Sequence, residues 1–214
     1  MTTGKLPYVS QTQTEWVIGW KAATPYIRDN NELVFMPLVC RNIPYVVNDI
    51  AVCRQYGHAQ PPGDYCRCGF NAWHDTDQAL RYVRTESRPP PTTAYHGNHK
   101  MPVPSINETL VILRVGLHGD IVDMREPAWG YRAERQRVVD MFVNNACATC
   151  SRDAVTLGVM NTVYPQSPNE RTVPSYLIWP LCDHHVYLSR RIIDSRDIAA
   201  HNNVKIHWGY PTSD

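Results

Sequence analysis

The feature that most restricts how this chain can fold is a split cysteine and histidine pattern. Cys147-Ala148-Thr149-Cys150 is followed, beyond a long insertion, by Cys182-Asp183-His184-His185. A C-x2-C pair and a C-x2-H pair supply the four sulfur and nitrogen donors that tetrahedral zinc prefers, and one ion held by all four would fasten two segments far apart in sequence. The x2 spacing selects His185 over its neighbour His184, because it places both ligands of a pair on one side of a turn. The apolar run Tyr176 to Leu181 reads as a strand that delivers Cys182 to the metal, with a helix beginning near His185. Taken singly, each cysteine could be an ordinary buried apolar side chain. Together the four point to a closed structural zinc site.

A second, looser pattern lies upstream: Cys53, His58, Cys66 and Cys68, laid out as C-x4-H-x7-C-x-C-Gly. Pro61, Pro62 and Gly63 shape the intervening loop, and Gly69 permits the positive backbone angle that a metal-wrapping turn often needs. C-x-C is less diagnostic than C-x2-C, but it too brings two thiolates to one ion. His58 is the preferred fourth ligand of this second zinc ion and His74 the reserve. Cys40 stands outside both patterns as a buried thiol. Of seven cysteines, six have ligand-like spacing, which fits metal binding in a reducing compartment better than disulfides.

A chain of 214 residues with 43% hydrophobic content can bury one substantial core or two small ones. Its formal charge of +1 predicts no strong overall attraction to nucleic acid or anionic membrane. Met1 to Glu15 lacks the basic-then-apolar pattern of a signal peptide, and no apolar run approaches the roughly 20 residues that span a bilayer. The expectation is a cytoplasmic protein with no membrane partner. Twelve Tyr and six Trp against three Phe give its aromatic surface polar handles suited to interfaces.

In chain order, residues 15 to 24 read as a first strand with Trp16, Ile18 and Trp20 on one face, and Leu33 to Cys40 as a second short apolar stretch interrupted by Pro37, which keeps it at an edge or ends it. Residues 44 to 53 lead to the upstream cysteines. Asp75 or Thr76 can cap a helix carrying Ala79, Leu80 and Val83, and this helix ends before Arg88-Pro-Pro-Pro91. Residues 89 to 104 form a Pro-rich loop or linker, with His96 and His99 solvated. Thr109 to Met124 is the strongest β signal, with Gly116 and Gly119 marking bends or bulges. A return strand starts at Tyr131, giving a small twisted sheet or half-barrel, although Val138, Val139, Phe142 and Val143 fit a helix about as well. Residues 158 to 174 read as an exposed loop, Val186 to Ile193 and Asp194 to His201 as two short helices, and Val204 to Trp208 as a last strand. The expected fold class is α+β: a small, mostly antiparallel sheet with short helices, stabilised by one or two structural zinc sites. Its parts are 1–88 with the first knuckle, the 89–104 linker, a zinc-ribbon-like 105–186 and a C-terminal extension 187–214, packed as one compact domain.

The order Ile18-Gly19-Trp20-Lys21, Ala51-Val52-Cys53, His58-x-x-Pro61, Cys66-x-Cys68-Gly69-Phe70-x-Ala72, then Gly130-Tyr131-Arg132-Ala133-Glu134, with the tail Cys147-x-x-Cys150 to Pro180-Leu181-Cys182-x-x-His185, resembles a group of small cysteine-rich proteins of actinobacteria and their phages. The similarity spans roughly residues 15 to 186 and is most specific at C-x-C-G and G-Y-R-A-E. It implies a cytoplasmic, zinc-stabilised protein of that origin and supplies no reaction. The longer Pro-rich loop and the extension after His185 depart from the group's pattern.

Three classes of function follow. The first is a non-enzymatic binding protein or regulator acting on a protein partner, such as a phage accessory factor that modulates a larger DNA-handling enzyme. The second is a nucleic-acid-binding zinc protein. Its contacts would come from Arg125, Arg132, Arg135 and Arg137, although Asp123, Glu126, Glu134 and Asp140 interleave with them and favour ion pairs on a solvated face. The third is a zinc-dependent hydrolase or nuclease with His184, Asp183 or His74 as base. Two filled ligand pairs leave no open metal position, and no G-x-S-x-G, H-E-x-x-H, Walker or dinucleotide motif is present. No catalytic residue is therefore assigned.

Overall fold

The computed structural model describes residues 9–37, 44–53, 62, 68–85, 94–96, 99–101, 109–124, 130–163 and 175–212. Three long strands form the framework: β1 (Val9–Arg28), β8 (Val111–Met124) and β9 (Gly130–Val143). In chain order the other strands are β2 (Leu33–Pro37), β3 (Tyr45–Val46), β4 (Asn48–Ile50), β5 (Phe70–Trp73), β6 (Ala94–His96), β7 (His99–Met101), β10 (Thr156–Val163), β11 (Ser175–Leu181), β12 (Arg191–Ile193) and β13 (Lys205–Trp208). Eleven of them join one sheet, and β6 and β7 pair separately as a small ribbon inside the segment expected to be a loop. The fold is α+β and mostly antiparallel as expected, but the sheet is larger than the small one anticipated.

The length of β8 and β9 follows from their alternation. Leu113, Val115 and Leu117 of β8 and Val138 and Met141 of β9 are buried, while intervening residues such as Arg114, His118, Arg135 and Arg137 are more exposed. This period of two holds Val138 to Val143 in a strand, where local sequence fitted a helix as well. Two irregularities bend the hairpin. Val139 is left without a partner between Arg114↔Asp140 and Val115↔Val138, and Gly119, with φ +80°, sits in the shift between His118↔Arg135 and Ile121↔Ala133. A left-handed backbone at the second bulge favours glycine there. β5 pairs with both β9 and β1, so β1, β8, β9 and β5 make a closed circuit rather than an open half-barrel.

The main core lies on the inner face, with Ala23, Ile27, Leu33, Phe35, Leu113, Val115, Leu117, Val138 and Met141 among its members. Helix α1 (Thr76–Thr85) starts where Asp75 accepts a hydrogen bond from the Gln78 amide at 2.9 Å. Its Ala79, Leu80 and Val83 cover Ala22 and Ile112 on the opposite face, with Trp20, Trp73 and Phe142 packed around them. One cation is drawn into the main core. Lys21 is 7% exposed, donates to Gln136 Oε1 at 2.8 Å and lies 4.3 Å from the centre of the Tyr45 ring. Burial pulls its pKa down to about 7, against the attraction of Asp49.

Two local expectations change. Residues 158 to 163 are not loop but the greater part of β10, because Gly158 and Val159 pair with Trp179 and Ile178 of β11; residues 164 to 174 lie outside the described residues. In place of a helix over Val186 to Ile193, a 3-10 helix spans Asp183–Leu188, and β12 then pairs with β10. The apolar residues Ile192 and Ile193 extend the sheet edge instead of forming a helical stripe. Helix α2 (Ser195–Asn202) is capped by Asp194, whose side chain accepts from the Arg196 amide at 2.8 Å. The side chain of Asn202 accepts from the Leu33 amide and donates to the Asn31 carbonyl, and β13 runs parallel to β9. The C-terminal extension is thus woven into the main sheet.

Candidate metal centre

The chain between β9 and β10 narrows to a tip. Ala154 donates to the Asn145 carbonyl at 2.7 Å, Ala146 and Asp153 form a bridge, and Cys147 donates to Arg152 at 2.6 Å. Ser151 turns the chain with φ 59° and donates back to the Cys147 carbonyl, so Cys147 and Cys150 face the same side of a tight knuckle. Two backbone bonds dock this knuckle on the end of β11: Ala148 to Pro180 at 3.0 Å and Val155 to Leu181 at 2.8 Å. Cys182 follows immediately after that strand. The first 3-10 turn, closed by the His185 amide on the Cys182 carbonyl, swings the imidazole back toward the sulfurs.

The four donor atoms of Cys147, Cys150, Cys182 and His185 all lie within 4.8 Å of one another. Cys150 and Cys182 sulfurs are 3.7 Å apart, and His185 Nδ1 is 3.3 Å from Cys182 Sγ and 3.7 Å from Cys147 Sγ. A tetrahedron with metal–sulfur bonds near 2.3 Å has an edge of about 3.8 Å. These spacings therefore fit four ligands around one ion. Cys147 and Cys182 are buried at 2% and 1% exposure, Cys150 is exposed and His185 half-buried. Trp179, Leu181, Met160 and Leu188 pack the inner side.

The electrostatics also favour a cation. Burial opposes ionisation of Cys147, yet the backbone amides of Cys182, Thr149 and Cys150, together with the Cys182 side chain, bring its thiol down to about 6. Burial raises Cys182, and hydrogen bonding with the neighbouring thiols of Cys147 and Cys150 raises it further. One sulfur is ready to ionise, whereas a second thiolate beside it needs a positive charge between them. These residues can hold a metal ion. Among the described residues, no other group of three or more His, Cys, Asp or Glu side chains comes together in this way.

His184 is turned outward, its side chain 63% exposed beside Asp183, and takes no part in the cluster. Of the upstream pattern, His58 and Cys66 lie outside the described residues, as does Cys40. Cys53 is buried, Cys68 half-buried, and Gly69 has φ +106°. His74 is engaged elsewhere: its Nε2 lies 2.9 Å from Asp123 and its ring stands edge-on to Tyr131. Arg125 lies outside the described residues. Arg132 is buried at 4% exposure and offers no surface to a partner, whereas Arg135 is exposed beside Glu134 and Arg137 half-exposed.

The sequence reading missed a buried carboxylate. Asp140, 3% exposed, accepts from Arg114 Nε at 2.6 Å and lies 2.8 Å from His207 Nε2, so it sets the orientation of both side chains on the sheet. A lone acid within Val138-Val139-Asp140-Met141-Phe142 was the available signal. Comparison of the chain with models of protein families, with curated proteins and with solved structures finds no match.

Proposed function

We propose that Cys147, Cys150, Cys182 and His185 hold one structural zinc ion, and that the chain works as a non-enzymatic binding protein braced by it. The observation that carries this reading is the closed donor set: three sulfurs and one imidazole nitrogen within 4.8 Å of one another. Mixed sulfur and nitrogen ligands in a tetrahedral arrangement suit zinc. When bound, zinc supplies the charge that neutralises adjacent thiolates and locks the knuckle to the end of β11. The residues themselves exclude water on the inner side through Trp179 and Leu181 and leave no ligand position for a substrate. That argues against a hydrolase at this centre, because catalytic zinc keeps an open position. The outward-facing His184 offers no base directed at the metal.

Elemental mass spectrometry on the native chain, with native mass measurement, tests the reading. The expected result is zinc retained at the knuckle and lost from Cys150→Ser and Cys182→Ser in equal measure. A chain purified with no bound metal, or X-ray absorption showing a water ligand on a three-coordinate protein site, would overturn it.

A further inference from the structure

We infer that the outer face of β1, β8 and β9, extended by β4 and β13, binds single-stranded nucleic acid. This rests on the binding-protein reading and names its partner. The strand registers place three rows side by side on one face. One row is Trp20, Arg114, Asp140 and Lys205. The next is Ile18, Gly116, Arg137 and Asn48. The third joins His118, Arg135 and Ile50, with the Trp16 ring 5.1 Å from His118. Residues paired across strands share a face, so these side chains form a continuous surface.

Helix α1 covers only one end of this face, over Ala22 and Ile112. Elsewhere Trp16 is 51%, Ile18 45% and Ile50 54% exposed. Trp16 is seated on purpose-shaped ground: its six-membered ring lies so close over Gly116 that a Cβ there would come within 2.8 Å. The indole packs on the Gly116 backbone with the His118 ring beside it, and half of its surface stays open to solvent.

The charge on the face is not the charge of the chain. The rows carry Arg114, Arg135, Arg137 and Lys205 with His118, and His207 adjoins them on β13. Their one carboxylate, Asp140, is buried and already held by Arg114 and His207. Glu134 flanks Arg135 at 3.4 Å, and among the described residues no acid pairs with Arg137. Cations around a half-exposed indole match a strand whose phosphates need neutralising and whose unpaired bases can stack. A duplex hides its bases and cannot stack them on Trp16.

The test is fluorescence anisotropy of the zinc-loaded full chain with a fluorescein-labelled deoxythymidine 15-mer, at low and at moderate salt. Saturable binding that weakens steeply with salt is expected, with quenching of tryptophan emission. Trp16→Ala should weaken binding roughly 10-fold, the effect of losing one stacked base. Arg135→Ala and Arg137→Ala should each lower the salt slope by about 1. Arg191→Ala, on the β12 edge, should change nothing. Arg137→Glu serves if Trp16→Ala does not fold. No saturable binding at low salt, equal affinity for a duplex of the same length, or face variants that bind like the parent would each overturn the inference. So would a salt-insensitive protein partner that occupies the face. Any of these outcomes leaves the metal centre standing, because zinc content is measured separately.

Discussion

At the knuckle, Cys147 and Cys182 are almost wholly buried and turned toward each other, with His185 closing on them from a 3-10 turn. On the outer sheet face, Trp16, Ile18 and Ile50 stand half exposed, Arg135 is exposed beside Glu134, and Arg137 is half exposed. Both regions gather residues from distant parts of the chain. The first gathers donors inward until one ion could satisfy them all, an arrangement suited to bracing the fold. The second spreads cations and an indole over a surface too broad for one ion, and its unspent valences suit recognition. Buried polar groups are retained where they are satisfied, exposed ones where a partner can use them.

The sharpest way to break this contrast is to remove a knuckle ligand. Cys182→Ser leaves two thiols and an imidazole around a site that can no longer close, and the loss should exceed about 4 kcal/mol. Thermal melts with and without a chelator should show the parent falling to the level of the variant. An equal melting temperature for both proteins would mean that the knuckle contributes little.

A smaller effect should come from the core beneath the outer face. Lys21 has its pKa lowered to about 7 from 10.5. Below pH 7 folded and unfolded chains both carry the proton, and between 7 and 10.5 the unfolded chain binds it more. Stability therefore rises with pH across that window, by up to about 1.4 kcal/mol per unit. Lys21→Met should remove that slope and stabilise most near neutral pH. Urea melts from pH 6.5 to 10 measure it, and an unchanged slope would show that Lys21 stays charged in the fold.

The smallest effect is a control on ligand choice. His184→Ala removes an exposed ring and should change stability by less than about 0.5 kcal/mol. His185→Ala should instead lose metal. If His184→Ala proved the more damaging of the two in melts and metal content, the assignment of the imidazole ligand would be reversed.

The sequence made the knuckle legible because each half is local. Two cysteines separated by two residues can share only one side of a turn, and the run ending at Leu181 has the apolar content of a buried strand. The helix over Thr76–Thr85 was legible for the same reason, through its cap at Asp75 and the spacing of Ala79, Leu80 and Val83. The 131 to 143 segment was not. Its alternating arginines and acids read as mutual ion pairs, and Glu134 with Arg135 is one, but which side each of the others faces was set by the fold. The fold buries Arg132, turns Arg135 and Arg137 outward and draws Asp140 into contact with Arg114 and His207.

What the sequence by itself determined, then, is part of what short-range spacing sets: the period of β8, the period and cap of α1, and a knuckle with its matching half-site. Tertiary structure alone decided which strands lie side by side, and with them the parallel docking of β13 on β9 and the placing of Trp16 over Gly116 on a face with cations from three strands. The physical reason is register. A shift of one residue in any pairing would turn those side chains to the other face, and nothing local to β1, β8 or β9 specifies the partner's alignment.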